Sequence, residues 1–176
     1  MLVTGPRQVG KTTVLQNCET QPRTYVSLDT LENRELAKND PTLFLQRYPA
    51  PVLIDEIQYA PELFPYIKAS VDKEKKSGMY WLTGSQQFHL MKNVSESLAG
   101  RVGILQLEGL SQDEKNGHPD VPPFLPTEEY IKTKVHSAAE TDLLKIYELI
   151  WKGSYPKLYP ADSDYWAVFY ESYMQT

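Results

Sequence analysis

Apolar residues recur along the chain in two alternating rhythms. Short continuous runs, "TYVSLD" (Thr24–Asp29), "PVLID" (Pro51–Asp55), "MYWLTGS" (Met79–Ser85) and "RVGILQL" (Arg101–Leu107), predict strands, and Met1–Thr4 ahead of them predicts another. Between these runs the pattern changes to a helical period. Helices are expected from Lys11 to about Asn17, from Leu31 to Ala37, and from Pro41 to near Tyr48 with Asp40 as N-cap. Another, opened by Ala60-Pro61-Glu62, carries Leu63, Phe64, Ile67 and Val71 on one stripe. A run such as Val52-Leu53-Ile54, apolar at every position, belongs to a strand buried on both faces, and such strands need helices on both sides. The expected fold is α/β: three layers around a five-stranded, mainly parallel sheet.

From Leu110 the rhythm is lost. Ser111 and Glu114 fit a capping box, Asn116 to Pro119 stop that helix, and "HPDVPPFLP" reads as a connector. Helices are expected again over Thr127–Val135 and Thr141–Trp151, the second with Leu143, Leu144, Tyr147, Ile150 and Trp151 on one face. A last helix starts near Ser163 and presents Tyr165, Trp166, Phe169, Tyr170 and Tyr173 as a broad aromatic face with little to cover it. The organisation expected is a core over 1–115, a connector over 116–127 and the start of a helical, incomplete C-terminal domain over 128–176.

Chemistry concentrates where the first strand meets the first helix. "GPRQVGKTT", Gly5-Pro6-Arg7-Gln8-Val9-Gly10-Lys11-Thr12-Thr13, has the spacing of a P-loop, whose backbone N–H groups turn inward around phosphate oxygens. Lys11 would neutralise the terminal phosphates, and the Thr12 hydroxyl would be a magnesium ligand. The strand Val52–Ile54 runs into Asp55 and Glu56. Asp55 suits the metal, and Glu56 can orient and deprotonate a water. Ser85 and Gln86 end another strand where a polar group could contact the γ-phosphate or the water. Ser85 serves equally as an N-cap. Arg101 could act as an arginine finger on a neighbouring subunit or pair with a local carboxylate. Arg7 lies inside the loop, near phosphate or facing solvent.

Composition narrows the classes. The 176 residues carry a net charge of −5 with a pI near 5.2, which offers no basic footprint for nucleic acid. No apolar run reaches a membrane-spanning length, and the expectation is a cytoplasmic protein. Cys18, in helical register with Val14 and Leu15, is expected to be a buried small hydrophobe. His89, His118 and His136 are scattered and propose no metal site. The tail Asp72–Lys76 reads as a solvated helix end.

Seven segments in order, "GPRQVGKTT", "SLDT…NDPTLFL", "LIDEIQYAPELFPYIKASVD", "WLTGSQQFHLM", "SLAGRVGILQLEGLS", "WKGSYPKLY" and "YWAVFYESYMQT", resemble the bacterial and archaeal AAA-type P-loop ATPases that carry a C-terminal domain of unknown function. The resemblance covers nearly the whole chain. It implies a sheet in the order 5-1-4-3-2, Lys11 and Thr12 in Walker A, Asp55 and Glu56 in Walker B, Ser85 at the sensor-1 position, and Arg101 in a Gly-Arg segment. It also implies ATP and Mg2+ as ligands and a preference for adenine over guanine. Such members extend further at both ends, so the chain reads as truncated at both. The expected activity is Mg-dependent ATP hydrolysis, with Arg101 acting in trans if the chain is a homo-oligomer. The alternatives are a nucleotide-gated interaction module with little turnover, a P-loop kinase and a non-functional remnant.

Overall fold

The computed structural model describes residues 1–85, 94, 97–118, 124–137, 141–159 and 165–175. The chain divides into two compact units, Met1–Glu108 and Gly109–Thr176.

In the first unit, five strands form one sheet: β1 (Leu2–Thr4), β2 (Thr24–Ser27), β3 (Val52–Asp55), β4 (Tyr80–Gly84) and β5 (Ile104–Gln106). Their order is β2-β3-β4-β1-β5, and every pairing is parallel. This is the 5-1-4-3-2 order of a P-loop α/β fold. Helices α1 (Lys11–Asn17), α2 (Leu31–Asn39), α3 (Pro41–Arg47) and α4 (Leu63–Glu74) lie in the crossovers that lead from β1 through β2 and β3 to β4. α3 starts as its sequence dictates, with Pro41 in the first turn and the Asp40 carboxylate accepting the Leu43 N–H at 2.9 Å.

Side chains of alternate strand residues leave opposite faces of the sheet. On one face Leu2, Val26, Val52, Ile54, Tyr80 and Leu82 pack against Ala37, Phe44, Leu63, Phe64 and Ile67 of α2, α3 and α4. On the other, Val3 and Leu53 pack against Leu15 of α1, with Trp81 and Leu107 beside them. The sheet is thus the middle of three layers, and the unbroken apolar run of β3 is buried from both sides.

Cys18 corrects the sequence expectation: it is exposed. The helix turns its Lys11 and Leu15 inward, one turn apart, whereas Val14 is 43% exposed, and Cys18, one turn beyond Val14, follows it to solvent.

In the second unit, Ser111 and Glu114 form the expected capping box at the start of the turn Gln112–Lys115. Helices follow at Glu128–Ser137, Leu143–Lys152 and Trp166–Met174. The expected start at Ser163 and most of the proline connector lie outside the described residues. The aromatic face of the last helix is better covered than its sequence implies. Tyr155 lies against the rings of Phe169, Tyr170 and Tyr173, with centroids 5.3, 5.9 and 5.3 Å away, and Trp151 meets Trp166 edge-on. The Leu143–Lys152 helix, by contrast, leaves Leu143, Leu144, Ile150 and Trp151 exposed.

Candidate functional site

In a parallel sheet the carboxyl ends of the strands gather at one edge, and that edge is where ligands bind. Here the loop after β1, the carboxylates after β3 and the polar end of β4 converge there. The loop 5–10 reverses the chain through left-handed backbone at Gln8 (φ 63°) and Gly10 (φ 92°). Gly5 is required for a separate reason. Its φ is 149°, and a Cβ there would stand 2.0 Å from the Leu107 carbonyl oxygen, so the loop leaves β1 pressed against the end of β5. Val9 is buried beneath the loop, while Arg7, Gln8 and Thr13 face solvent. Gly10 caps α1 and has no side chain to occupy the first N–H groups of the helix, which by construction have no intrahelical partner.

Lys11 is 6% exposed, and its ammonium donates to the Gly5 carbonyl at 3.0 Å and the Pro6 carbonyl at 2.7 Å. Burial pushes its pKa down, Glu56 and Asp55 pull it back up, and Arg7 lowers it further. A cation in that state gains from an anion brought to the loop. The next residue reaches the other half of the site, with Thr12 Oγ1 donating to Asp55 Oδ1 at 2.9 Å.

Asp55 is held from three sides. Thr83 Oγ1 also donates to Oδ1, and the Tyr25 hydroxyl donates to Oδ2 at 3.0 Å. Burial, then the charge of Asp55 and the hydrogen bond to it, keep the Tyr25 hydroxyl protonated to higher pH than usual. Thr83, fully buried, accepts the Glu56 N–H at 3.2 Å as well, so one hydroxyl fixes both acidic residues. Glu56 turns away from Asp55 through left-handed backbone, φ 55° and ψ 47°. Its Oε2 accepts from Gln58 Nε2 and from Ser85 Oγ, the latter at 3.1 Å. Nearby, burial raises the Asp29 carboxyl and the charges of Glu56 and Asp55 raise it further, while Arg34 and Arg7 lower it.

The oxygen donors that Thr12 and Asp55 bring together suit a hard divalent cation. No cluster of three or more His, Cys, Asp or Glu side chains able to hold a metal occurs among the described residues. The two protein oxygens at Thr12 and Asp55 match the few that Mg2+ takes, since it keeps several waters and binds together with phosphate.

The structure brings together Gly5–Thr13, Asp55, Glu56 and Ser85. It does not bring Arg101 to them. Arg101 lies just ahead of β5, at the edge where strands begin, and donates through Nε to Asp72 at 2.6 Å near the end of α4. Each partner favours the charged form of the other, mainly through that hydrogen bond. Gln86 and His89 lie outside the described residues. Thr83, Tyr25 and Gln58 have no motif to announce them. Alternation along β4 sets Thr83 on the face of Val3 and Leu53, but its approach to Asp55 depends on strand register.

A family model described as an AAA domain matches residues 1–116. Two curated proteins, each called uncharacterized, from Mycobacterium bovis and Mycobacterium tuberculosis, are 37% identical to the chain over 113 residues. That stretch is 63% of this chain and 25% of each relative, so the chain spans about a quarter of the length of the curated relatives it matches. No helix among the described residues is long and apolar enough to cross a membrane.

Proposed function

The chain belongs to the AAA domain family, and from that premise we propose that it binds ATP with a magnesium ion at Gly5–Thr13 and hydrolyses it. One observation carries the proposal: the hydrogen bond from Thr12 to Asp55 at 2.9 Å, which joins the phosphate loop to the carboxylate end of β3 across 43 residues of sequence. The loop and Lys11 hold the β and γ phosphates, Lys11 exchanging the Gly5 and Pro6 carbonyls for phosphate oxygens. Thr12 and Asp55 would hold the Mg2+, which when bound neutralises charge on the phosphates. Glu56 takes a proton from water as the water oxygen bonds to the γ-phosphorus. The bond from that phosphorus to its bridging oxygen breaks, leaving ADP and phosphate.

Equilibrium binding of Mg-ATP, with Mg-GTP as competitor, followed by phosphate release, tests this. Lys11→Ala is expected to abolish tight binding, and wild-type affinity in that variant would remove the loop from the site. Glu56→Gln is expected to retain binding and lose about 10²–10⁴-fold in turnover. Unaltered turnover would remove Glu56 from the mechanism.

A second reading, a nucleotide-gated module with little turnover, is favoured by the pairing of Arg101 with Asp72 at the far edge of the sheet. Turnover that rises with protein concentration and is lost in Arg101→Ala would favour hydrolysis with Arg101 acting in trans. Binding with no phosphate release at any concentration would favour the second reading. A preference for adenine, a cytoplasmic location, and the division into a core over 1–115, a connector over 116–127 and a helical C-terminal domain over 128–176 belong to the same proposal.

A further inference from the structure

After Asp55 the chain makes one tight turn. Glu56 adopts the left-handed conformation, rare for a residue with a side chain, and the 3-10 turn Ile57–Tyr59 comes next, with the Tyr59 N–H donating to the Glu56 carbonyl at 3.1 Å. The turn brings the Gln58 side chain back onto Glu56. Gln58 Nε2 donates to Glu56 Oε2 and to Ser85 Oγ, the latter at 3.3 Å, and Ser85 Oγ donates to the same Oε2 at 3.1 Å. The three side chains close a ring between the ends of β3 and β4. Chemistry fixes the sense of the amide, because a carboxylate only accepts and the NH2 end must face Glu56. The carbonyl end, Oε1, is then buried and has no hydrogen-bond partner among the described residues.

An unpaired buried carbonyl is unfavourable, and an apolar side chain of the same size would avoid it. The hold on Glu56 accounts for an amide at this position. Both bonds fall on Oε2, so Oε1 of Glu56 is kept for the water proton, and a flexible carboxylate is reduced to one orientation before substrate arrives. We propose that Gln58 is the positioning residue for Glu56, fixing Oε2 together with Ser85 so that the other oxygen meets the attacking water. This rests on the hydrolysis reading. Gln58 itself exchanges no proton.

The test is a double-mutant cycle on the full 176-residue chain. Mg-ATP affinity and single-turnover phosphate release are measured for Gln58→Met, alone and in a Glu56→Gln background. Gln58→Met keeps length and loses the hydrogen bonds. It is expected to bind Mg-ATP as wild type does and to release phosphate roughly 10–100-fold more slowly, the usual loss when a working group's support is removed. In the Glu56→Gln background it should add no further loss. Wild-type turnover in Gln58→Met, or an equal loss in both backgrounds, would overturn the proposal. If Gln58→Met fails to fold, Gln58→Asn, which keeps the amide one methylene short of Glu56, must give the same pattern or the proposal falls. A wild-type chain that binds Mg-ATP and releases no phosphate is a separate failure, seen before any variant is compared. It would overturn the hydrolysis reading and this proposal together.

Discussion

Thr83 has no exposed surface, yet it holds both acidic residues of the candidate site, donating to Asp55 and accepting from the Glu56 N–H. Thr83→Val preserves the shape and removes the hydroxyl, which leaves the Glu56 N–H unpaired. The expected loss is about 1–3 kcal/mol, read from urea unfolding of the nucleotide-free chain. Lys11 gives a prediction with a pH signature. Its folded pKa is lowered, first by burial, from the ordinary 10.5 of the unfolded chain. Between the two values the unfolded state binds more protons, so the Lys11 contribution to stability rises with pH across that window. The difference in unfolding free energy between wild type and Lys11→Met, followed from neutral to alkaline pH, should therefore shift in favour of wild type. Lys11, Thr12 and Asp55 are legible in the sequence because a P-loop and an acid-ended strand are local patterns. Thr83 and Tyr25 are not, because their contacts depend on register: Ser27 lies opposite Asp55 and Ile54 opposite Leu82, and no local pattern specifies either pairing.

At the scale of elements, boundaries are set by caps and breakers. Asp40 is the clearest case, and Asp40→Ala should destabilise by about 0.5–2 kcal/mol in thermal or urea unfolding, because the Leu43 N–H loses its acceptor. The exit from β1 depends on Gly5. Gly5→Ala would force a methyl group onto the Leu107 carbonyl from a backbone conformation reserved for glycine, and a loss of at least about 1–3 kcal/mol is expected in the same measurement. The strand order was legible only through the family resemblance, since alternating strands and helices give an α/β class but many sheet orders. Helix faces were legible in part. The stripe on α4 packs as its period implies, whereas α1 is too short for its period to choose between Lys11 with Leu15 and Val14 with Cys18. The buried lysine, read as polar in any hydrophobic pattern, decides the outcome.

Across the whole molecule, burial is unevenly shared between the units. Phe44, Phe64, Leu53, Ile54, Leu63 and Leu82 are fully buried in Met1–Glu108, whereas Leu158 and Phe169 are the buried apolar residues of Gly109–Thr176 among those described. Burial of apolar area is the main favourable term in folding, so the second unit has less to oppose its conformational entropy. Its helix Leu143–Lys152 is capped by Asp142, whose carboxylate accepts the Lys145 N–H at 2.8 Å, and by Gly153 at the other end, but caps contribute little beside packing. Local opening should therefore need much less free energy in the second unit than in the sheet. Hydrogen exchange monitored by mass spectrometry on the nucleotide-free chain is expected to leave the amides of β3 and β4 protected longest, while those of Leu143–Lys152 exchange by local opening well before them. Equal protection in both units would mean that the exposed leucine, isoleucine and tryptophan side chains of that helix are covered in solution. Under the proposed ATP binding, Mg-ATP would join the loop after β1 to the end of β3, which Thr12 and Asp55 already link, and it should then slow exchange in α1 and around Asp55 and Glu56.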